Sequence, residues 1–292
     1  MTKPVIFLDM LGTAERQNRS MLCVGLDPEP ARFPGKFKGD ASKIYDFCAA
    51  IVDATADLVL AFKPQIAYFA AHRAEGQLES LMQHMRRAAP GVPIILDAKR
   101  GDIGSTAEQY AIEAFERYGA DAVTLSPFMG FDSVAPYLKV YGKGAFLLCR
   151  TSNPGGDDLQ NQRLASVDGQ PLLYEHIARL AQGPWNLNGQ IGLVVGATYP
   201  AEIERVRNAA PMLPLLIPGV GAQGGDAVAT VRAGWRGVKN ETTAPIIVNS
   251  SRAILYASTG DDFADAARRE ALRTREVLQA ARSQLAQGVA TF

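Results

Sequence analysis

Asp97, Lys99 and Asp102 stand at spacings of two and three residues inside the stretch 93–106, PIILDAKRGDIGST. Residues 93–96 are an apolar run, and side chains alternate along a strand, so Ile95, Asp97 and Lys99 fall on one face and Leu96 and Ala98 on the other. Two opposite charges then project together from a strand end. Gly101 and Gly104 break the strand, and Ser105 followed by Glu108 has the form of a capping box that opens a helix over 106–118. Asp102 falls in the turn between. Carboxylates on either side of an ammonium keep it charged, and a fixed ammonium can stabilise a developing anion or deliver a proton to it. The same residues could instead form a surface ion-pair cluster in which Asp102 serves only the helix N-terminus. Spacing alone leaves both readings open.

The elements that would position these groups recur along the chain. Apolar runs at 21–26, 58–62, 93–96, 122–125, 145–149, 191–195, 213–217 and 246–248 alternate with stretches of helical spacing. Eight such strands are the count that closes a parallel (β/α)8 TIM barrel of the α/β class. No linker divides the chain, so the expectation is a single TIM-barrel domain over 1–292. The barrel would occupy about 21–256, with a segment 1–20 capping its bottom and a C-terminal helix at about 262–286. The polar insert 157–170 is too long for an ordinary connection and would lie as a loop over a site.

In such a barrel the carboxyl ends of all strands converge on one mouth. Asp27 would end the first strand, Lys63 the second, Asp97 and Lys99 the third, while Ser152 follows the fifth. Lysine and aspartate are seldom fully buried unless paired, so a ring alternating their charges is hard to explain as scaffold. After the seventh strand, glycines at 219, 221, 224 and 225 leave backbone N–H groups near a helix start, with Gln223 as a neutral donor. Ser251 and Arg252 follow the eighth, and Arg252 supplies a planar charged donor where barrels commonly hold phosphate. A glycine-rich loop by itself is equally a tight turn; its place in the barrel strengthens the phosphate reading. His72, His84 and His176 lie in helical segments, and Trp185 and Trp235 in connections, as surface or packing residues. Tyr68 and Phe69 follow Lys63 and would pack in the core or line the mouth.

Composition narrows the classes. Lysine plus arginine equals aspartate plus glutamate at 30 each, which provides no basic field for nucleic acid. The three cysteines, Cys23, Cys48 and Cys149, are unclustered in apolar segments, which suits reduced core thiols rather than disulfides or a metal cluster. Neither a signal-peptide layout nor an apolar stretch of transmembrane length is present, so a soluble, cytoplasmic protein is expected.

The motif from Asp97 to Thr106 resembles the central motif of the orotidine 5′-phosphate decarboxylases, of the longer bacterial (type 2) kind. Asp27 after Gly25-Leu26, Lys63 before Pro64, Ser152-Asn153-Pro154-Gly155, the stretch 218–226 and Ser251-Arg252 match in the same order, and the resemblance covers about 22–256. It implies decarboxylation of orotidine 5′-phosphate to uridine 5′-phosphate, the last step of de novo pyrimidine nucleotide synthesis, without cofactor or metal. Lys63, Asp97, Lys99 and Asp102 would be the catalytic network. Asp27 and Lys63 would hold the ribose hydroxyls, Ser152 the pyrimidine ring, and Gln223 and Arg252, with Ser251, the phosphate end. The implied assembly is a homodimer in which Asp102 and Thr106 of one subunit complete the site of the other, with no nucleic-acid or membrane partner. The insert 157–170 exceeds the shorter family members, which leaves open which loop closes over substrate.

Three other readings differ in what they require. A magnesium-dependent sugar-phosphate decarboxylase or synthase shares the Asp-x-Lys-x-x-Asp motif but needs a carboxylate at the end of strand two, where this chain has Lys63. A Schiff-base aldolase needs a neutral amine, and two flanking aspartates oppose that. A barrel that only binds a phosphate ligand has use for Arg252 and the glycine loop but none for an ammonium at Lys99.

Overall fold

The computed structural model describes residues 6–220, 226–238 and 241–288. Continuous apolar runs form strands buried on both faces, as a parallel sheet under helices requires. They are β1 (Leu22–Leu26), β2 (Ala61–Pro64), β3 (Ile95–Arg100), β4 (Ala122–Leu125), β5 (Gly144–Arg150), β6 (Ile191–Val195) and β7 (Leu215–Pro218). A short antiparallel ribbon, β8 (Arg236–Val238) with β9 (Glu241–Ala244), precedes the last barrel strand, β10 (Ile246–Ser250). The sheet order is β2-β1-β10-β7-β6-β5-β4-β3, and bridges from Phe62 to Ile94 and from Gln65 to Asp97 close it into the expected eight-stranded parallel barrel.

The helices in chain order are α1 (Phe7–Asn18), α2 (Ile44–Thr55), α3 (Ile66–Ala70), α4 (Glu75–Ala88), α5 (Gly104–Ile112), α6 (Ala135–Leu138), α7 (Leu173–Gln182), α8 (Pro200–Ala209), α9 (Ala227–Gly234), α10 (Arg252–Leu255) and α11 (Phe263–Gly288). Two apolar layers result. Outward strand residues pack beneath the helices, while the inward residues Cys23, Ala61, Ile95, Ala122, Phe146, Val194, Leu216 and Ile247 form a separate cluster with Phe7, Leu11 and Ala14 of α1. Phe7, Leu11 and Ala14 share one face of α1, and this face packs against the inward strand residues. Phe7 meets Phe146 edge to face at 5.7 Å. With the bottom and interior apolar, the charged inward residues are left at the other end.

Local boundaries differ from the sequence expectation in ways that matter for the site. β2 starts only at Ala61 and ends, as expected, at Lys63-Pro64, and β3 continues to Arg100. The helix after β3 starts at Gly104, not Thr106, and the Ser105–Glu108 capping box does not form. Gly104 takes φ +56 and lets the chain turn earlier, Asp102 Oδ1 accepts the Ile103 N–H at 2.9 Å, and Glu108 pairs with Lys139 instead. Past Ile112 the helix widens into a π-helical turn, Glu113–Arg117. The long insert is ordered by one buried side chain: Arg150, at the end of β5, pairs with Asp157 of the insert and Glu202 of α8, both at 2.5 Å. A helical turn, Pro154–Asp158, and a bridge from Arg163 to Leu172 complete it.

Candidate active site

Positions at the carboxyl ends of β2, β3 and β4 bring four polar side chains, Lys63, Asp97, Lys99 and Thr124, together above the apolar interior. Asp97 stands at the centre. Its Oδ2 accepts from Lys63 Nζ at 2.8 Å, and its Oδ1 accepts from Lys99 Nζ at 2.6 Å and from the Thr124 hydroxyl at 2.9 Å. Lys63 and Asp97 are buried, with side chains 5% and 11% exposed, whereas the Lys99 side chain is 46% exposed and reaches into the mouth. The ring of alternating charge expected from the strand ends is thus present as a Lys63–Asp97–Lys99 chain whose last ammonium is open to a ligand.

Burial favours the neutral acid at Asp97, but the ammonium groups of Lys63 and Lys99 outweigh it and hold this carboxyl well below the ordinary carboxylate range. Burial likewise opposes charge on Lys63, and Asp97 and Asp27 outweigh it and push Lys63 above the ordinary lysine range. Cys23, beneath them, is pushed up to about 12, chiefly by burial, and is an inert core thiol. The depressed Asp97 value contributes stability that is present above the ordinary carboxylate pKa of ~3.9 and lost as pH falls through the depressed one. The raised Lys63 value contributes stability present below ~10.4 and lost only as pH rises through the raised one. The pair is therefore charged throughout the neutral range. Asp97→Asn, which leaves a buried ammonium without its carboxylate, should lower the unfolding free energy in urea melts near neutral pH by about 3–5 kcal/mol. The gap to the unsubstituted protein should narrow below about pH 4, where the advantage of the ionised carboxylate begins to be lost. An equal gap at both pH values would show that charge on Asp97 does not carry this stabilisation.

The remaining candidates divide by position. Asp27 lies close enough to Lys63 to act on its charge, and its Oδ1 is buried without a hydrogen-bond partner among the described residues. Tyr256 braces this loop, donating to the Asp27 carbonyl at 3.1 Å and accepting the Glu29 N–H at 2.7 Å. Ser251 Oγ is also buried without a partner among the described residues. It approaches β1 closely: a Cβ on Gly25 would lie 2.9 Å from Ser251 Cβ and 3.0 Å from Asn249 Oδ1, so only glycine fits there. Ser152 is likewise seated against Gly196 at the end of β6, where a Cβ would fall 2.7 Å from that of Ser152. Arg252 is exposed at the start of α10, after β10. Gln223 lies outside the described residues.

Asp102 and Thr106 are not part of the Lys63–Asp97–Lys99 chain. Asp102 is half-buried with its Oδ1 turned to the Ile103 N–H, and Thr106 is exposed on the first turn of α5. Two groups, Thr124 and Asn249, escaped the sequence reading. Thr124 is the one hydroxyl in the apolar strand β4, at an inward position. Asn249 is buried at the end of β10, with its Oδ1 unpartnered among the described residues. Tyr68 separates from its neighbour, for Phe69 is core while Tyr68 is half-buried on the rim. Burial pushes its phenol up, and the charges acting on it are those of Asp27, Glu29, Arg252 and Arg32.

A closed parallel barrel carrying this ammonium–carboxylate chain at its carboxyl-end mouth defines a (β/α)8-barrel enzyme site suited to an anionic substrate. Over residues 20–268 the chain matches the family described as orotidine 5′-phosphate decarboxylase / HUMPS, and it belongs to that family. It is 88% identical over 277 residues to the orotidine 5′-phosphate decarboxylase of Polaromonas naphthalenivorans, covering 95% of this chain and 96% of the relative. The corresponding enzyme of Albidiferax ferrireducens is 82% identical over 282 residues, at 94% and 98% coverage. The structure of Leishmania donovani OMP decarboxylase is similar at a TM-score of 0.80 and 38% identity, covering 95% of this chain and 99% of that one.

Proposed function

We propose that this chain decarboxylates orotidine 5′-phosphate to uridine 5′-phosphate, the last step of UMP synthesis, with Lys99 as the proton donor. The observation that carries the reading is the Lys63–Asp97–Lys99 chain, with its outer ammonium half-exposed in the mouth. Breaking the bond between C6 and the carboxylate releases carbon dioxide and leaves an electron pair in the plane of the pyrimidine ring. An ammonium fixed beside C6 stabilises that pair and then donates a proton to it, giving the C6–H of the product and a neutral amine that solvent reprotonates. Asp97 holds Lys99 in place. Asp27 and Lys63 meet the ribose hydroxyls, Ser152 the ring, and Ser251, Arg252 and Gln223 the phosphate end, whose binding energy serves the transition state from a distance.

The working unit of this proposal is a homodimer with shared sites. Ile103, Phe128 and Met129 are 51%, 76% and 46% exposed in the loops after β3 and β4. Those loops touch, since a Cβ on Gly101 would lie 3.2 Å from Ser126. A second copy covering this apolar rim would bring its own Asp102 and Thr106 to the mouth. No described helix is long and apolar enough to cross a membrane, and the buried, unpaired Cys23, Cys48 and Cys149 suit a reducing cytoplasm.

The test is the fall in orotidine 5′-phosphate absorbance on adding purified protein in the presence of a chelator, beside a β-keto sugar-phosphate acid with magnesium. Turnover of the nucleotide with chelator present is expected. Turnover of the sugar phosphate alone would move the assignment to the metal-dependent branch. Arg252→Ala should raise KM for the nucleotide by about 10–100-fold through loss of a charge-assisted phosphate contact, and should change turnover of phosphate-free orotidine far less. Equal losses on both substrates would make Arg252 structural.

A further inference from the structure

Along β3 and β4 the register runs Ile95 to Ala122 and Leu96 to Val123, then jumps to Arg100 opposite Leu125. Three residues of β3, Asp97, Ala98 and Lys99, thus occupy the length for which β4 supplies Thr124 alone. Lys99 takes φ +47, in the left-handed region that a side chain with a Cβ rarely adopts. A bulge of this kind re-aims a side chain, but it also strips the bulged residues of their ladder partners. Here one hydroxyl replaces those partners. Thr124 Oγ1 accepts the Ala98 N–H at 3.1 Å and the Lys99 N–H at 2.9 Å, and its own proton goes to Asp97 Oδ1 at 2.9 Å. That Asp97 oxygen is also the one bound by Lys99 Nζ. A hydroxyl has two acceptor sites and one donor, and all three are used on the three residues that build the reacting end of the site.

We propose that Thr124 is a positioning residue for the reaction: its hydroxyl holds the left-handed bend at Lys99 and the rotamer of Asp97 together, and so sets where the Lys99 ammonium stands. It is 1% exposed and does not touch substrate, so it acts only through the two charged groups. A second lock lies just downstream, where Arg100 makes a bidentate ion pair with Glu113 and fixes the far side of the bulge. Lys99 therefore stands between two fixed points, the Thr124 hydroxyl and the Arg100–Glu113 pair.

The inference rests on the decarboxylase reading, so the unsubstituted protein is assayed in parallel. Thr124→Val keeps the shape and removes the two acceptor sites and the donor. It should lower kcat for orotidine 5′-phosphate by about 10²-fold, the scale of a displaced reacting group, while its affinity for UMP, which does not need the ammonium placed, changes by less than about threefold. Thr124→Ser keeps the hydroxyl and should restore kcat to within about threefold. If Thr124→Val does not fold, Thr124→Cys, of similar size and a poor acceptor, replaces it, with a kcat loss of at least about tenfold expected. Normal kcat in the Val or Cys variant overturns the proposal, and so does a Ser variant as impaired as either, which would mark a packing role. Inactivity of the unsubstituted protein would overturn the decarboxylase reading itself.

Discussion

Lys99→Ala is expected to lower kcat for orotidine 5′-phosphate decarboxylation by about 10⁴-fold or more, because proton donation and electrostatic stabilisation of the ring anion are removed together. The fold should survive. Lys99 is half-exposed, the buried Lys63–Asp97 pair at 2.8 Å remains, and the alanine N–H donates the same hydrogen bond to Thr124 Oγ1 as that of lysine. Affinity for UMP should therefore change by less than about tenfold, or ~1.4 kcal/mol, since the phosphate and ribose contacts proposed above are assigned to other residues. Kinetics on protein from a host lacking its own decarboxylase would check both figures. Substantial turnover by the variant would remove Lys99 from the chemistry.

An equally large effect is expected from mixing two inactive proteins. Within one chain Asp102 faces its own turn, hydrogen-bonded to the Ile103 N–H, and not the Asp97–Lys99 pair. If it completes the site of a second copy, a mixed dimer of Lys99→Ala and Asp102→Ala subunits holds one site with both defects and one with neither. Random exchange then restores about a quarter of all sites. Sites built within one chain would recover nothing. Unfolding and refolding the two variants together, with native mass spectrometry to prove mixed dimers, separates the outcomes.

These residues also show where a single sequence is informative. The eight barrel strands were legible because a strand buried on both faces is a continuous apolar run, and β4 and β6 have the boundaries expected of them. Lys63 and Asp97 were legible as inward groups because charges at strand ends must find partners. Lys99 was placed correctly beside Asp97 for an incomplete reason. Simple alternation put both on one face, whereas the chain reaches that arrangement through a bulge and a left-handed residue, which depend on Thr124 of the neighbouring strand. A hydroxyl in an apolar strand carries no mark of this task. The Ser105–Glu108 box was a local signal overridden by Gly104, and the β8–β9 ribbon is too short and irregular to show an alternating pattern. The role proposed for Asp102, at the site of a second copy, is not a property of one chain's contacts at all.

The most direct test of the central claim is release of carbon dioxide from orotidine 5′-phosphate labelled at its carboxylate, followed together with UMP formation. Protein free of host enzyme should release one carbon dioxide for each UMP formed, with chelator present, and the same preparation of Lys99→Ala should release almost none. No labelled carbon dioxide from the unsubstituted protein, or equal release from both, would contradict the account.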